Sequence, residues 1–284
     1  MPAVLPLAVA LASSLCWGLA DFLGGMQSRA VAALAVTVVS QAAGLAGVAV
    51  LAVVVGGPPG DLDDLLPAAL GGMAGALGLV AFYTGLAVGR MSIVAPISAT
   101  GAVVPVAVGV ALGELPGPVV AGGILLALVG VVMASREADH AEGDGRGAER
   151  RAVLLALIAA LGFGSFFVGI DAAAEASVLW ALVAARTASV ILLLAICAAR
   201  RRSPLVPAGR LAPVVLVGAL DVSANGLYAW ATTEGLLAVV SVLGSLYPVV
   251  TVLLARAVLG ERVRRIQEAG IVAALAGVVL IAAG

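Results

Sequence analysis

The chain has 284 residues, of which 63% are hydrophobic and 11% are charged, and its mean hydropathy is +1.20. Soluble domains are about 45–50% apolar and about 25% charged, so this composition excludes an ordinary soluble protein and indicates a membrane protein. The net charge of −1 gives no support for a nucleic-acid partner. With two cysteines and one histidine, the sequence offers no disulfide framework, metal site or cofactor site.

Hydrophobic stretches of about 20 residues, the length that crosses a bilayer as a helix, recur along the whole chain. We predict an all-α polytopic membrane protein with ten membrane-spanning helices, most of them joined by very short turns. The first stretch lacks the basic segment that opens a signal peptide, so it is predicted to be a membrane helix. The ten predicted spans are residues 4–25, 31–55, 66–88, 92–112, 118–134, 152–170, 177–199, 211–233, 237–256 and 267–283.

The two halves of the chain resemble each other. At an offset of 147 residues, Gly113 and Glu114 fall on Gly260 and Glu261, and the similarity continues through the following span. Five helices per half is an odd number, so the second half should enter the bilayer from the opposite side. Such inverted repeats are typical of transporters with a central substrate cavity. The predicted segments are a first five-helix repeat at 1–134, a polar cytoplasmic linker at 135–151 and a second repeat at 152–284.

Arginine is distributed unevenly between the two ends of the predicted spans. All fifteen basic residues are arginines, and fourteen of them lie in or beside the loops that follow odd-numbered spans. The positive-inside rule makes those loops cytoplasmic and places both termini outside, which for a bacterial protein means the plasma membrane. The fourteen are Arg29, Arg90, Arg136, Arg146, Arg150, Arg151, Arg200, Arg201, Arg202, Arg210, Arg256, Arg262, Arg264 and Arg265.

Several short motifs occur in an order and spacing that belong to a known family. L-G-E closes the fourth span of each half at 112–114 and 259–261. Trp17-Gly18 lies in span one, SIVAPIS in span four at 92–98, and LYPVVT in span nine at 246–251. Together these motifs resemble the EamA family of the drug/metabolite transporter superfamily, and the resemblance extends over essentially the whole chain.

The resemblance implies a ten-helix carrier for small metabolites, with a central cavity lined by spans from both halves. We expect this cavity to be lined mainly by spans one, three, four, six, eight and nine. The chain departs from the family pattern in two respects. The first half has Thr100-Gly101 where the second keeps Tyr247-Pro248, so we expect a weaker helix break in the first half. Family members more often keep both termini in the cytoplasm, whereas the arginine distribution here places them outside.

Span eight carries a polar stripe. Asp221, Asn225, Tyr228 and Thr232 follow one another at i, i+4, i+7 and i+11, which is one helix face. A carboxylate inside the bilayer costs about 2.5–3.5 kcal/mol, so this face should line a cavity or the bundle interior. Its functional interpretation is a site for a proton or a substrate amine, and the alternative is a polar clamp between helices.

Arg186 is the arginine inside a span, and it takes about the place that Gln41 has in the first half. A buried arginine should pair with a carboxylate, and Asp221, Asp21 and Asp171 are the candidates. A structural salt bridge and a role in substrate binding or gating both remain open.

Asp21 shares a helix face with Trp17 and is interpreted either as a cavity residue or as a solvated carboxylate at the helix end. Tyr83 and Tyr247 lie well inside their spans, and we expect cavity walls rather than interfacial aromatics there. The candidate binding or coupling residues are Asp221, Asn225, Tyr228, Arg186, Asp21, Trp17, Tyr83, Ser98, Ser245, Tyr247 and Gln41.

These features predict a secondary transporter that moves a small organic metabolite, amino-acid-like or related, by alternating access. A proton bound at Asp221 or Asp21 could couple transport, and exchange without coupling is the alternative. No P-loop, H-E-x-x-H or G-x-S-x-G motif occurs, so the sequence does not predict an enzyme. A multidrug exporter of the same fold is the main competing function, and a non-transporting scaffold or sensor is a further one.

Overall fold

The computed structural model describes residues 4–55, 57, 59, 61–113, 116–134, 145–244, 246–260 and 265–283. The described residues form α-helices and two short 3-10 helices, and no strand occurs among them. The helices are α1 (Val4–Ser28), α2 (Ala33–Val55), α3 (Leu66–Val88), α4 (Met91–Ala99), α5 (Val103–Ala111), α6 (Pro118–Ala134), α7 (Gly145–Ala199), α8 (Ala208–Glu234), α9 (Leu237–Gly244), α10 (Tyr247–Leu259) and α11 (Arg265–Ala283). The predicted all-α, polytopic membrane class is therefore confirmed.

Seven helical stretches within the described residues are long and apolar enough to cross a membrane. The number ten therefore stays a prediction, as does the inverted repeat. α6 contributes a shorter apolar stretch, Pro118–Gly130, and α11 is not among the seven. The seven are Leu5–Ser28, Ala33–Val55, Asp63–Val88, Ile93–Ala111, Arg150–Ala199, Ala208–Glu234 and Val239–Leu259.

The ten predicted spans outnumber these seven stretches partly because α7 runs through both predicted spans six and seven. A straight helix of its 55 residues would be about 80 Å long, more than twice the thickness of the hydrocarbon core. The helix is interrupted at Ser177, where the backbone is extended (φ −169°, ψ 114°). Near this kink the Trp180 indole donates to the Gly57 carbonyl at 3.0 Å, so the kink lies beside the connection between α2 and α3. The kink gives α7 a first arm, 145–176, and a second arm, 178–199.

Both halves of the chain contain a broken helix. α4 and α5 are separated by a 3-10 turn at Thr100–Ala102, and α9 and α10 are separated between Gly244 and Tyr247. The first half therefore has its own break although it lacks the proline of the second. Gly101 has a packing reason, because a Cβ there would lie 2.2 Å from the carbonyl oxygen of Ala160 in α7.

α3 packs against both arms of α7 through glycines that allow the backbones to approach closely. A Cβ at Gly72 would lie 2.3 Å from the Ala185 carbonyl oxygen, and one at Gly162 would lie 2.6 Å from that of Ala74. Small residues are the usual means by which membrane helices reach such distances. This contact fixes α3 between the two arms, and the walls of the central cavity depend on it.

We expect Gly72→Ala to lower the melting temperature of the detergent-solubilised protein, because the new methyl group has no room beside Ala185. Overpacking of this kind costs about 1–3 kcal/mol or more. Gly47→Ala in α2 is the matched control, since among the described residues no atom other than the local helix backbone lies within 4 Å of its Cβ position. Equal melting temperatures for the two variants would contradict the close packing of α3 on α7.

Candidate functional site

A cavity of about 540 Å³, counted with its opening, lies among α1, α2, α3, α7, α8 and α10. Most of its lining residues fall near the middle of their helices, as Asp221 does in α8 and Gln41 does in α2. Spans one, three, six, eight and nine contribute as predicted. No described residue of span four is in the lining, and α2 and the second arm of α7 contribute residues that were not expected there. The lining residues are Trp17, Asp21, Gln41, Gly72, Gly75, Ala76, Leu79, Phe163, Phe166, Phe167, Ala185, Arg186, Ser189, Asp221, Asn225 and Tyr247.

One wall of the cavity holds a closed network of polar side chains from α2, α7 and α8. Arg186 Nη2 lies 2.7 Å from Asp221 Oδ2, and Arg186 Nη1 donates to Gln41 Oε1. Gln41 Nε2 completes the network by donating to Asp221 Oδ2 at 3.3 Å. Of the three carboxylates proposed as partners for Arg186, Asp221 is therefore the one in contact.

In this network the charges of Arg186 and Asp221 offset each other, although not every N–H group of Arg186 donates a hydrogen bond. Arg186 is 5% exposed, and the Asp221 side chain is 14% exposed. Arg186 Nη2 meets Asp221 as an ion pair that lacks hydrogen-bond geometry, and Nε has no acceptor among the described residues. A buried pair of this kind offsets the desolvation of each ion by attraction to the other, so the two residues depend on each other.

Asp21 in α1 is in a different situation. It lines the same cavity and is only 6% exposed, which contradicts the alternative of a solvated carboxylate at the helix end. It has no ion pair and no hydrogen bond within the described part of the chain. Asn225, one helical turn beyond Asp221, is also buried in the lining without a hydrogen-bond partner among the described side chains. The cavity therefore presents a carboxylate and a carboxamide that are not engaged by any described residue.

Aromatic rings form much of the remaining wall. Trp17 and Phe167 lie with their ring centroids 5.4 Å apart, and Phe166 lies 6.2 Å from Phe167. Sequence reasoning missed the three phenylalanines of the lining, Phe163, Phe166 and Phe167. A signal was present, since the chain has five phenylalanines and three of them cluster in L-G-F-G-S-F-F.

Tyr228 lies behind this aromatic wall rather than in it. Its ring stacks on Phe167 with centroids 4.6 Å apart and an interplanar angle of 25°. Its hydroxyl is bonded to that of Ser241 at 2.7 Å, and Thr232 bonds to the Ala229 carbonyl at 3.0 Å. The polar stripe of α8 is thus divided: its first two residues face the cavity, and its last two bond within the protein.

Three other predicted residues can be placed or excluded in the same way. Ser98 is buried in α4, and its hydroxyl is bonded at 2.6 Å to that of Tyr247, which does line the cavity. Tyr83 is buried against α1, where a Cβ at Gly24 would lie 2.4 Å from its ring. Ser98 thus supports the wall from outside, and Tyr83 is not among the described lining residues. Ser245 lies outside the described residues.

A comparison of the sequence with family profiles identifies the second half of the chain. The profile of the EamA-like transporter family matches residues 150–283. This half of the chain is an EamA-like domain. The predicted resemblance is confirmed for residues 150–283, and the matching family is one of membrane transporters.

Solved structures show that the fold of the whole chain occurs in other proteins. A crystal structure of a protein 17% identical to it superposes with a TM-score of 0.68, over 97% of this chain and 95% of the other. At that identity the likeness shows the fold alone. No curated protein matches the sequence.

The glycines of the two L-G-E motifs lie just past the ends of helices. Gly113 follows α5 and Gly260 follows α10, and both have left-handed backbones (φ +100° and +67°). Glycine is favoured there because a side chain strains this conformation. The glutamates of the two L-G-E motifs, Glu114 and Glu261, lie outside the described residues, so their predicted helix-capping role stays a prediction.

Proposed function

We propose that this EamA-like protein is a secondary transporter that carries a small organic metabolite by alternating access. The observation that carries the proposal is the cavity at mid-helix depth, in which Asp21 and Asn225 have no hydrogen-bond or ion-pair partner among the described residues. Polar groups at that depth cost free energy unless they serve a cavity or a ligand.

We infer that the two halves are inverted repeats of five spans each, with domains at 1–134 and 152–284. Two reciprocal helix contacts support this view. The first span of the first half, α1, packs on the third span of the second half, α8. The third span of the first half, α3, packs on α7, which begins the second half. The pair at matching places, Gln41 and Arg186, are in direct contact. Residues close to a two-fold axis are expected to meet in this way, and alternating access would move the halves about that axis.

Asp21 is the better candidate for proton coupling, because Asp221 is already paired with Arg186. A proton or another cation can meet Asp21 without displacing an ion-pair partner among the described residues. Exchange without coupling remains the alternative.

A multidrug exporter is the second candidate function, and the lining supports it more than the composition does. Aromatic residues make up 4% of the chain, yet five of them line this one cavity: Trp17, Phe163, Phe166, Phe167 and Tyr247. Such a lining could hold flat apolar compounds of several shapes.

The test is transport by the purified protein in proteoliposomes. Metabolites and cationic dyes are offered with and without an imposed proton gradient, and counterflow is measured in parallel. We expect at least one solute class to exchange, and accumulation that follows the gradient if transport is coupled. Proteoliposomes that neither accumulate nor exchange any solute of the panel would contradict the transporter proposal.

Orientation is a separate prediction. Given the arginine distribution, we propose a location in the plasma membrane with both termini outside. A periplasm-active reporter fused after Gly284 should then be active, while the same reporter inserted after Arg202 should be silent. Activity after Arg202 and silence after Gly284 would reverse the orientation.

A further inference from the structure

We propose that the cavity selects monovalent organic cations, with an ammonium group at Asp21 and a flat apolar body against the aromatic wall. The inference rests on the transport function proposed above and narrows its substrate class. A zwitterionic amino acid should then bind more weakly than the corresponding amine.

The charge of the cavity lining is the first argument. Among the described lining residues the ionisable acids and bases are Asp21, Asp221 and Arg186. Arg186 and Asp221 pair at 2.7 Å and offset each other, so whenever Asp21 is ionised the described lining carries one excess negative charge. An unpaired carboxylate in a low-dielectric interior is strongly stabilised by a cation that lies against it. A bound ammonium group supplies that cation.

The aromatic rings are the second argument. Trp17 lies one helical turn before Asp21 on the same face of α1, and both line the cavity. Its ring is tilted by 42° against that of Phe167 at 5.4 Å, so two aromatic surfaces lie close to each other in this wall. The faces of such rings attract cations, and the attraction grows when water is excluded.

Few cationic donors remain in the lining for the carboxylate of a ligand. Arg186 uses Nη1 on Gln41 and Nη2 on Asp221, and only its Nε lacks both a hydrogen bond and an ion-pair partner among the described residues. An anionic or zwitterionic ligand would bring its carboxylate among two aspartates and a single arginine that is already neutralised. Like charges in a partly desolvated site repel, which disfavours such ligands.

The experiment uses four compounds that share a phenyl ring: 2-phenylethylamine, phenylalanine, 3-phenylpropionate and 2-phenylethanol. Their affinities for the purified full-length protein are measured by calorimetry and by the rise in melting temperature. We expect the amine to bind about tenfold or more tightly than each of the other three. Asp21→Asn should remove this preference, and Asp21→Glu should retain it. Glu175→Gln, at an exposed carboxylate outside the lining, should leave it unchanged.

The outcomes separate the two proposals. Equal or tighter binding of phenylalanine, the anion or the alcohol overturns cation selection, and so does an amine affinity that is unchanged in Asp21→Asn. Failure of all four compounds to bind also overturns it. None of these results removes the transporter proposal, which depends on solute exchange in proteoliposomes. Proteoliposomes that exchange no solute would instead contradict the function on which the inference rests.

Discussion

Replacing Arg186 with alanine is expected to lower the free energy of unfolding by about 3–5 kcal/mol, the usual effect of removing one partner of a buried ion pair. The substitution leaves Asp221 without its counter-ion and Gln41 without its donor from α7. Three helices lose a common contact at once. The melting temperature of the detergent-solubilised protein should therefore fall by several degrees.

Two further variants control this experiment. Arg186→Ala combined with Asp221→Ala should recover part of the loss, because no unpaired charge then remains. Arg256→Ala should have little effect, since its 3.3 Å pair with Glu268 is exposed (58% and 48%) and such pairs contribute about 0–1 kcal/mol. If Arg186→Ala melts like Arg256→Ala, the buried network does not hold α2, α7 and α8 together.

Leu79→Trp is expected to reduce transport to the level of empty liposomes while the protein stays folded. Leu79 is buried in the cavity lining, and the larger indole would occupy space that a solute needs. Leu51→Trp is the matched control, because Leu51 is half exposed on α2 at a position predicted to face lipid. Uptake is measured in proteoliposomes, and melting temperatures are measured alongside to confirm folding.

Two results would count against the cavity as the transport route. In one, Leu79→Trp transports at the wild-type rate. In the other, the control at Leu51 loses transport to the same degree. Both variants insert the same side chain, so a difference between them reports its location.

The membrane class and much of the polar interior could be predicted from the sequence, because apolar length and buried charge have strong physical requirements. A lone arginine in a span had to have a carboxylate, and the structure places Asp221 beside Arg186. The choice between Asp221 and Asp21 depended on how α1 and α8 are rotated against α7. Helix periodicity predicts which residues share a helix face. It does not predict which neighbouring residues that face contacts.

Tyr228 and the phenylalanines show the same limit. Tyr228 shares a helix face with Asp221. Two turns beyond Asp221, however, this face contacts Ser241 of α9 instead of the cavity. Phe166 and Phe167 lie in an apolar span, where lipid contact, core packing and a cavity wall all suit phenylalanine. Only the packing of the neighbouring helices distinguishes these three environments.

The central claim is that a solute reaches and occupies the cavity among α1, α2, α3, α7, α8 and α10. Its most direct test is the accessibility of Ala76→Cys, a lining position on α3, in a background carrying Cys16→Ala and Cys197→Ala. We predict that a charged, water-soluble thiol reagent modifies this cysteine and that a transported solute slows the reaction. A cysteine at Val53, which is 73% exposed and predicted to face lipid, should react far more slowly. Labelling of Ala76→Cys no faster than at Val53, or unaffected by solute, would contradict the account.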